Sequence, residues 1–387
     1  MHDQPIWAEI DLQAIAHNCR LVRSLIPAQT RFMAVVKANA YGHGSIPVAQ
    51  TALQNGADSL AVARLDEGLE LRRAGIGVPV LIFGYTPASC LTTLLDYDLI
   101  PTMNSKEMAA DFSQACTQLG VRLPVHLKID TGMGRLGINA VPGPKDEHAF
   151  HPSAPEQVQH ICRLPALDFQ GVYTHLAQAD ADDTAHSQGQ IHCFTSLLQA
   201  LAAKGQEFPV HHAANSAAVL RLPSAHLDLV RPGLMLYGLS PRPEDDDLTS
   251  LLCPAMTLKA RIAQIKKVAP GFKISYGSTF TTDKETTIAT IPIGYADGFF
   301  RILSNSGCML VHGQRARIAG RICMDQTMLD VGHIPDVQAG DEVVIFGRQH
   351  AGHISVDEVA RQCSTINYEI VSSLMARVPR IYPSICC

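Results

Sequence analysis

The sequence predicts an α/β protein, in which an N-terminal (β/α)₈, TIM-like barrel is followed by a mainly β C-terminal domain. Eight short apolar runs alternate with longer helical patterns between residues 32 and 230. Alternation of this kind indicates a parallel sheet, and eight repeats fit a closed barrel better than an open sheet. After residue 250, short β-branched runs follow one another at close spacing, which is typical of an all-β domain.

The predicted barrel strands are short runs bounded by polar or glycine-rich sequence: residues 32–36, 59–63, 80–83, 100–103, 125–129, 169–174, 210–212 and 228–230. Between them, segments such as 66–74 and 105–119 carry apolar residues at spacings of three and four. Gly75 and Gly120 stand just past these segments, where a helix commonly ends. The pattern therefore predicts a helix after each strand.

A polar, turn-rich segment at residues 240–250, with two prolines and three consecutive aspartates, marks the predicted domain boundary. We assign residues 1–240 to the barrel domain and residues 241–387 to the mainly β domain. The predicted β runs of the second domain are residues 286–292, 316–319, 328–331 and 342–346, and one helical pattern covers 356–362.

Composition excludes several classes of partner. Charged residues make up 17% of the chain and the net charge is -5, so nothing favours nucleic acid or an anionic membrane. The first eleven residues lack the apolar core of a signal peptide, and no later run approaches the ~18 apolar residues of a membrane helix. The 11 cysteines include no CxxC pair, which favours reduced thiols in a cytoplasmic protein, although the Cys386-Cys387 pair has no explanation.

The most informative stretch is residues 34–44, Ala-Val-Val-Lys-Ala-Asn-Ala-Tyr-Gly-His-Gly. Lys37 follows a buried strand and precedes a compact turn in which Gly42 and Gly44 can adopt positive φ. Most lysines at strand ends are solvated charges. Burial, however, lowers a lysine's pKa, and the neutral amine is a nucleophile that can form a Schiff base.

Other predicted strand ends also carry polar or glycine residues, and barrel sites form where the strands end. These residues are Arg135 after the fifth strand, His175 after the sixth, Asn215 and Ser216 after the seventh, and Arg231 and Gly233 after the eighth. Lys128 alternates with apolar neighbours on the fifth strand and is expected to face the interior. The adjacent His211 and His212 point to opposite faces of a strand, so we predict no metal site.

Several segments, in order along nearly the whole chain, resemble the alanine racemase family. They include Lys37 and its turn, Lys128-Ile-Asp-Thr-Gly-Met-Gly-Arg-Leu-Gly137, Arg231-Pro-Gly-Leu-Met-Leu-Tyr-Gly238, Ser275-Tyr-Gly277, Gly294-Tyr-Ala-Asp-Gly298 and Arg321-Ile-Cys-Met-Asp-Gln-Thr-Met328. The resemblance implies a homodimeric enzyme with shared active sites, which uses pyridoxal 5'-phosphate to interconvert L-alanine and D-alanine and so supplies D-alanine for peptidoglycan.

The resemblance also implies a role for each matching residue. Lys37 holds the cofactor, and its phosphate is held by Tyr41, Ser216, Gly233 and Tyr368, with Asn215 beside Ser216. Arg135 bonds the phenolic oxygen of the cofactor, Arg231 faces its ring nitrogen, and His175 bonds Tyr276 and Arg231. The substrate is bound by Arg135 and by the backbone of Met324, and the entrance is narrowed by Tyr295 and Tyr368. Lys128 matches a lysine that carries a carbamate in several members. A lysine paired with an acidic neighbour is the equally weighted alternative for Lys128.

Racemisation requires a proton to leave one face of Cα and another to arrive on the opposite face, so two bases are needed. By resemblance these bases are Lys37 and Tyr276. A free phenol has a pKa of about 10, so we expect positive charge from His175 and Arg231 to favour the phenolate. Read without the resemblance, Tyr276 is better explained as an aromatic packing residue.

Three alternative functions remain open on the sequence. The chain can be a racemase of other or broader amino-acid range, such as serine or lysine, because pocket size is not readable from sequence. It can be a non-catalytic protein that carries pyridoxal phosphate, although such a protein has no need of a second domain or a second base. A decarboxylase of related architecture is the third. A chiral assay over a panel of amino acids, together with a test for carbon dioxide release, separates these alternatives.

Overall fold

The computed structural model of the chain describes residues 4–143, 149–242 and 250–383. These residues form two compact units. The barrel unit comprises Ala14–Ala40 and the described part of Ser45–Cys253. The β unit comprises three segments: the described residues up to Gln13, the short segment Tyr41–Gly44, and the described residues from Pro254 onward. Most of the predicted linker and the Cys386-Cys387 pair lie outside the described residues.

The barrel unit contains a closed sheet of eight parallel strands. The strand that ends the row pairs with the strand that begins it, so the sheet has no free edge between them. In order of pairing the strands are Ile100–Met103, Val80–Ile82, Ser59–Val62, Arg31–Val35, Leu229–Val230, His211–His212, Leu167–Tyr173 and Leu123–Asp130. A two-residue strand, Ile138–Asn139, adds to the last of them. All eight predicted strands are present within two residues of the predicted bounds, which confirms the barrel.

Helices accompany these strands, and their ends follow the predicted signals. The side chain of Ser105 accepts a hydrogen bond from Met108 N (3.1 Å) at the start of one helix, and Gly120 ends it with φ of 65°. No helix in the described ranges is long and apolar enough to cross a membrane. The helices of this part of the chain are Leu12–Leu25, Ser45–Gln54, Leu65–Arg73, Leu91–Asp96, Lys106–Leu119, Ala154–Cys162, Ala185–Ala202 and Ser216–Arg221.

The β unit is built on one large sheet, mostly antiparallel, with two short helices, Val356–Gln362 and Asn367–Ser372. Alternate residues of Met256–Arg261 are buried, so one face of this strand packs on the core. These elements confirm the predicted mainly β domain. The strands of the unit are Ile6–Ile10, Met256–Arg261, Gln264–Val268, Lys273–Ile274, Phe280–Thr281, Thr286–Ile291, Cys308–Val311, Gln314–Ile318, Thr327–Asp330, Glu342–Gln349, Gly352–Ile354 and Arg380–Ile381.

The first strand of the chain, Ile6–Ile10, lies in the β unit. It pairs antiparallel with Met256–Arg261 and parallel with Arg380–Ile381. The division at residue 240 had placed this strand with the barrel, because a short apolar run does not indicate which sheet will accept it. Backbone pairing with distant strands determines where it lies.

Candidate active site

The turn after Lys37 has an unusual backbone. Four consecutive residues other than glycine, Ala38–Tyr41, adopt left-handed conformations with φ between 51° and 54°. Each such residue costs roughly 1–2 kcal/mol, so neighbouring groups must hold the turn. One restraint is the Asn39 side chain, whose Oδ1 accepts a hydrogen bond from Ser45 N at 2.9 Å. The sequence predicted positive φ only at Gly42 and Gly44. Both glycines do have positive φ in the structure. Strain of this kind is often found at functional sites.

The amine of Lys37 lies in a setting that favours its neutral form. Its side chain is half-buried, and burial lowers its pKa from the ordinary value, with the positive charge of Arg135 acting in the same direction. The charge of Glu67 opposes both. A lowered pKa leaves a larger fraction of the amine unprotonated, which is the nucleophilic and basic form.

Two basic side chains are buried inside the barrel. Arg231 is 3% exposed and Lys128 is 5% exposed, and in the described part of the chain neither forms an ion pair with a carboxylate. Burial lowers the pKa of Arg231 to about 10, so it remains a cation at neutral pH. Its NH2 group donates to Thr174 O (2.8 Å) and Ala213 O (3.0 Å).

Lys128 Nζ is buried with no hydrogen-bond partner among the described residues and lies over the ring of Tyr173, 4.4 Å from its centroid. Burial, followed by the charges of Arg231 and Arg135, holds the pKa of Lys128 well below its ordinary value. The charge of Asp130 opposes this lowering, but the described residues include no ion pair of Lys128 with an acidic neighbour, one of the two expectations for this lysine.

His175 is also held in its neutral form. Burial, followed by the charges of Lys128 and Arg231, keeps the pKa of His175 well below 6.5. Its Nδ1 lies 3.5 Å from Arg231 NH2, at the limit of a hydrogen bond. The expectation that His175 supplies positive charge is therefore wrong at neutral pH, because burial among cations disfavours a further charge. Arg231 is the positive group that remains.

A row of side chains behind Arg231 fixes which ring nitrogens carry protons. Arg231 NH1 lies 2.9 Å from His212 Nδ1, and His212 Nε2 lies 2.9 Å from His126 Nδ1. A guanidinium can only donate, so His212 Nδ1 accepts and its proton lies on Nε2. His126 Nδ1 then accepts in turn. Burial lowers the pKa of His126 to about 3 and that of His212 well below 6.5, so both rings stay neutral.

Replacing Gly171 by alanine should break this row. A Cβ at Gly171 would lie 2.6 Å from His126 Cε1 and 2.7 Å from Nδ1, and overpacking of this kind costs about 1–3 kcal/mol. We expect a lower melting temperature. Gly189→Ala is the matched control, since a Cβ there meets nothing within 4 Å and helix propensity favours alanine. Equal melting temperatures for the two variants would contradict the packing described.

The candidate phosphate residues lie near the ends of the last two barrel strands. Ser216 Oγ accepts hydrogen bonds from Gly233 N (2.9 Å) and Met235 N (3.3 Å), so its own O–H is the group that can donate to a ligand. Asn215, not Ser216, caps the helix, because Asn215 Oδ1 accepts from Ala218 N at 3.0 Å. Ser216 is therefore not the residue that caps this helix.

Tyr41 and Tyr368 lie together in the β unit, with ring centroids 6.1 Å apart. Burial raises the pKa of Tyr41, and Tyr368 adds to this effect, so Tyr41 is a neutral hydrogen-bonding phenol.

Arg135 follows a loop that is held by one carboxylate. Asp130 Oδ1 accepts hydrogen bonds from Gly132 N, Met133 N and Gly134 N at 2.9 to 3.1 Å. Arg135 is exposed, yet its charge acts on Lys37, Lys128 and His175. The barrel unit therefore brings together the predicted residues Lys37, Lys128, Arg135, His175 and Arg231.

Three other predicted site residues lie in the β unit and are exposed: Tyr276 by 70%, Met324 by 53% and Tyr295 by 42%. Hydrogen bonds join their segments to one another. Tyr295 N donates to Cys323 O (3.1 Å), and Ser275 Oγ donates to Arg321 O (2.5 Å). A Cβ at Gly294 would lie 2.2 Å from Met324 O, so only glycine allows this approach. The segments that carry the three residues thus form a single connected group.

Comparison with known proteins identifies the family. The alanine racemase N-terminal domain matches residues 10–241, and the alanine racemase C-terminal domain matches residues 255–382. The chain belongs to the alanine racemase family. It is therefore a pyridoxal phosphate-dependent isomerase that interconverts the enantiomers of alanine.

Individual relatives match over nearly their whole length. The alanine racemase of Desulfosudis oleivorans is 49% identical over 383 residues, covering 99% of this chain and 97% of the relative. That of Desulforamulus reducens is 48% identical, covering 98% and 99%. Among solved structures, the alanine racemase of Clostridium difficile has a TM-score of 0.90 at 36% identity, covering 99% and 97%. That of Bacillus anthracis with bound L-Ala-P has a TM-score of 0.90 at 38% identity, covering 100% and 96%.

The residues of the barrel unit fit the family's cofactor. Arg231 is a buried cation whose hydrogen-bond partners are all neutral, and Lys128 is a buried amine without one among the described residues. Arg231 and Arg135 supply N–H donors that form no ion pair with a carboxylate among the described residues, which suits the ring nitrogen and phenolic oxygen of the cofactor as acceptors. The half-buried amine of Lys37 supplies the nucleophile.

Sequence reasoning missed Glu67, Tyr173 and the His126–His212 pair. One signal was available, because His126 and Lys128 are two residues apart on one strand and therefore share a face. A buried strand face that carries two polar residues indicates an interior network. Glu67 gave no such signal, since an acidic residue in the first turn of a helix is ordinary.

Proposed function

We propose that the enzyme acts as a homodimer in which Lys37 of one barrel and Tyr276 of the partner's β unit serve one active site. The observation that carries this proposal is the connected group of Tyr276, Tyr295 and Met324, which is exposed in the single chain. Soluble chains seldom expose several large apolar side chains in one patch unless the patch meets a partner. We take this partner to be a second copy of the chain, whose barrel carries the basic residues of the site.

Within each site, Lys37 attaches the cofactor and Ser216, Gly233, Tyr41 and Tyr368 bind its phosphate, with Asn215 holding the helix that Ser216 begins. Arg231 faces the ring nitrogen and Arg135 the phenolic oxygen. The support for these roles is the placement of each group and the family match. When bound, pyridoxal phosphate withdraws electrons from the substrate and so acidifies the proton on Cα.

The protein's own part is to move that proton. Lys37 acts on the face from which D-alanine loses its proton, and Tyr276 acts on the face from which L-alanine loses its proton. The lowered pKa of Lys37 makes its neutral form available as a base near neutral pH. Arg231 stays charged and has no readily lost proton, so it holds the ring nitrogen without protonating it.

The buried amine of Lys128 suits a carbamate. A neutral amine is the form that reacts with carbon dioxide, and the low pKa of Lys128 provides it. The resulting anion would face the cations Arg231 and Arg135, which form no ion pair with a carboxylate among the described residues, and would orient Arg135 toward its ligands. Cytoplasmic D-alanine production for peptidoglycan is the cellular role that this activity suits.

Subunit exchange tests the shared site. Lys37→Ala and Tyr276→Ala proteins are each expected to be inactive, but a hybrid dimer has one site that keeps both residues. Statistical mixing makes half of the dimers hybrids, so roughly a quarter of wild-type activity should return. Each variant exchanged with itself is the control. Continued inactivity, although mass spectrometry shows hybrid dimers, would exclude a shared site.

A further inference from the structure

The carboxylate of Glu67 makes three hydrogen bonds, all with backbone N–H groups. Oε1 accepts from Ala38 N at 2.6 Å, and Oε2 accepts from Ala63 N at 2.7 Å and from Arg64 N at 3.0 Å. Both oxygens act only as acceptors. A carboxamide cannot replace them fully, because one of its two terminal atoms is itself a donor.

The bond to Ala38 is the one that concerns Lys37. Ala38 N belongs to the peptide group that joins Lys37 to Ala38, at the entry to the left-handed turn. Residues other than glycine leave that conformation when they are free to do so. Through this hydrogen bond, the Glu67 side chain links the peptide group after Lys37 to the first turn of the helix Leu65–Arg73.

The charge of Glu67 also acts on the amine of Lys37. The charged groups that act on this amine are Arg135, from the loop after the fifth strand, and Glu67, from the helix. His175, after the sixth strand, senses the charge of Lys37 but is itself held neutral by burial and neighbouring cations. Glu67 is thus the negative group in this set, and it opposes burial and Arg135.

We propose that Glu67 is the positioning residue of Lys37: its carboxylate fixes the strained turn that carries the amine and supplies a negative charge that acts on it. The proposal rests on the proposed role of Lys37 as a base. Without that charge the amine is neutral over a wider range of pH but is a weaker base, and without the hydrogen bond it is poorly placed.

The decisive measurement is the titration of Lys37 in the full chain freed of cofactor. Trace acetylation with acetic anhydride across a range of pH, followed by peptide mass spectrometry, reports the pKa of each lysine. In Glu67→Gln the pKa of Lys37 should fall below that of the wild type, because an opposite charge that raises it is removed. Glu70→Gln is the control, since Glu70 lies one turn further on the same helix and its Oε1 accepts from Ser45 Oγ. An unchanged Lys37 titration in Glu67→Gln, or an equal shift in Glu70→Gln, overturns the proposal.

Glu67→Asp separates the hydrogen bond from the charge and serves if Glu67→Gln does not fold. It keeps the carboxylate but shortens its reach by one methylene, so the turn loosens while the charge remains. We expect a Lys37 pKa close to that of the wild type and a fall in kcat on the order of tenfold to a hundredfold, the scale of a small misplacement. A wild-type kcat in Glu67→Asp would contradict the positioning role.

The pH profile of the loaded enzyme gives a second readout. In the direction from D-alanine to L-alanine, Lys37 must be neutral to accept a proton, so activity rises as the pH passes its pKa. A lower pKa moves this acid limb to lower pH in Glu67→Gln and leaves it in place in Glu70→Gln. Two different measurements separate failure of the proposed function from failure of the Glu67 proposal. If Lys37 is not the cofactor lysine, borohydride reduction will place the pyridoxyl group on another lysine. The acetylation result tests Glu67 alone, because it does not depend on where the cofactor binds.

Discussion

Lys37→Ala should abolish racemisation even in excess pyridoxal phosphate. The same amine is proposed to hold the cofactor and to move a proton, so the loss should exceed the ~10² to 10⁴-fold typical of a single general acid or base. A chiral assay in both directions measures it. Lys106→Ala, at an exposed position at the start of a barrel helix, is the control and should retain activity.

The position of the cofactor is checked independently by borohydride reduction and peptide mapping of the wild-type protein. The pyridoxyl group should be found on Lys37. Lys128 is the informative competitor, because it too is a buried amine with a strongly lowered pKa. A pyridoxyl group on Lys128 would show that the strained turn does not carry the cofactor lysine.

Tyr276→Phe should reduce racemisation by at least ~10² to 10⁴-fold while leaving the fold and cofactor binding intact. The ring is 70% exposed in the single chain, so only the hydroxyl is lost and the core is untouched. Tyr85→Phe, at another highly exposed tyrosine, is the matched control and should be nearly normal.

A one-sided reaction should survive in Tyr276→Phe. In D₂O the variant should incorporate deuterium into D-alanine faster than into L-alanine, because Lys37 still reaches its own face of Cα. Equal incorporation into both enantiomers, or nearly normal racemisation, would show that Tyr276 is not the second base. His175 would then be the next residue to test.

The sequence predicted the barrel well, because parallel strands buried on both faces read as short apolar runs and each is followed by a helix with recognisable ends. It also indicated strand ends whose candidate residues, Lys37, Lys128, Arg135, His175 and Arg231, act on one another electrostatically in the structure. The left-handed turn at Ala38–Tyr41 was not predictable. Nothing in Ala-Asn-Ala-Tyr requires it, and one of the groups bonded to it is Glu67, 29 residues from Ala38 in sequence.

The electrostatic state of the site was harder still to predict. A sequence shows that His175 and Arg231 are basic residues, but whether each is charged depends on burial and on the other cations nearby. The same holds for the tautomers of His126 and His212, which follow from a guanidinium that can only donate. Such properties belong to the folded arrangement rather than to a motif.

The pairing of Ile6–Ile10 with strands near the other end of the chain affects how the protein folds during synthesis. This strand is synthesised before the barrel, whereas its partners Met256–Arg261 and Arg380–Ile381 are synthesised after it. It must therefore remain unpaired, with exposed apolar side chains and free backbone groups, for most of translation. A gene fragment that begins after the barrel would lack the strand that lies between Met256–Arg261 and Arg380–Ile381, so the β unit cannot be expressed intact by cutting the chain at a domain boundary.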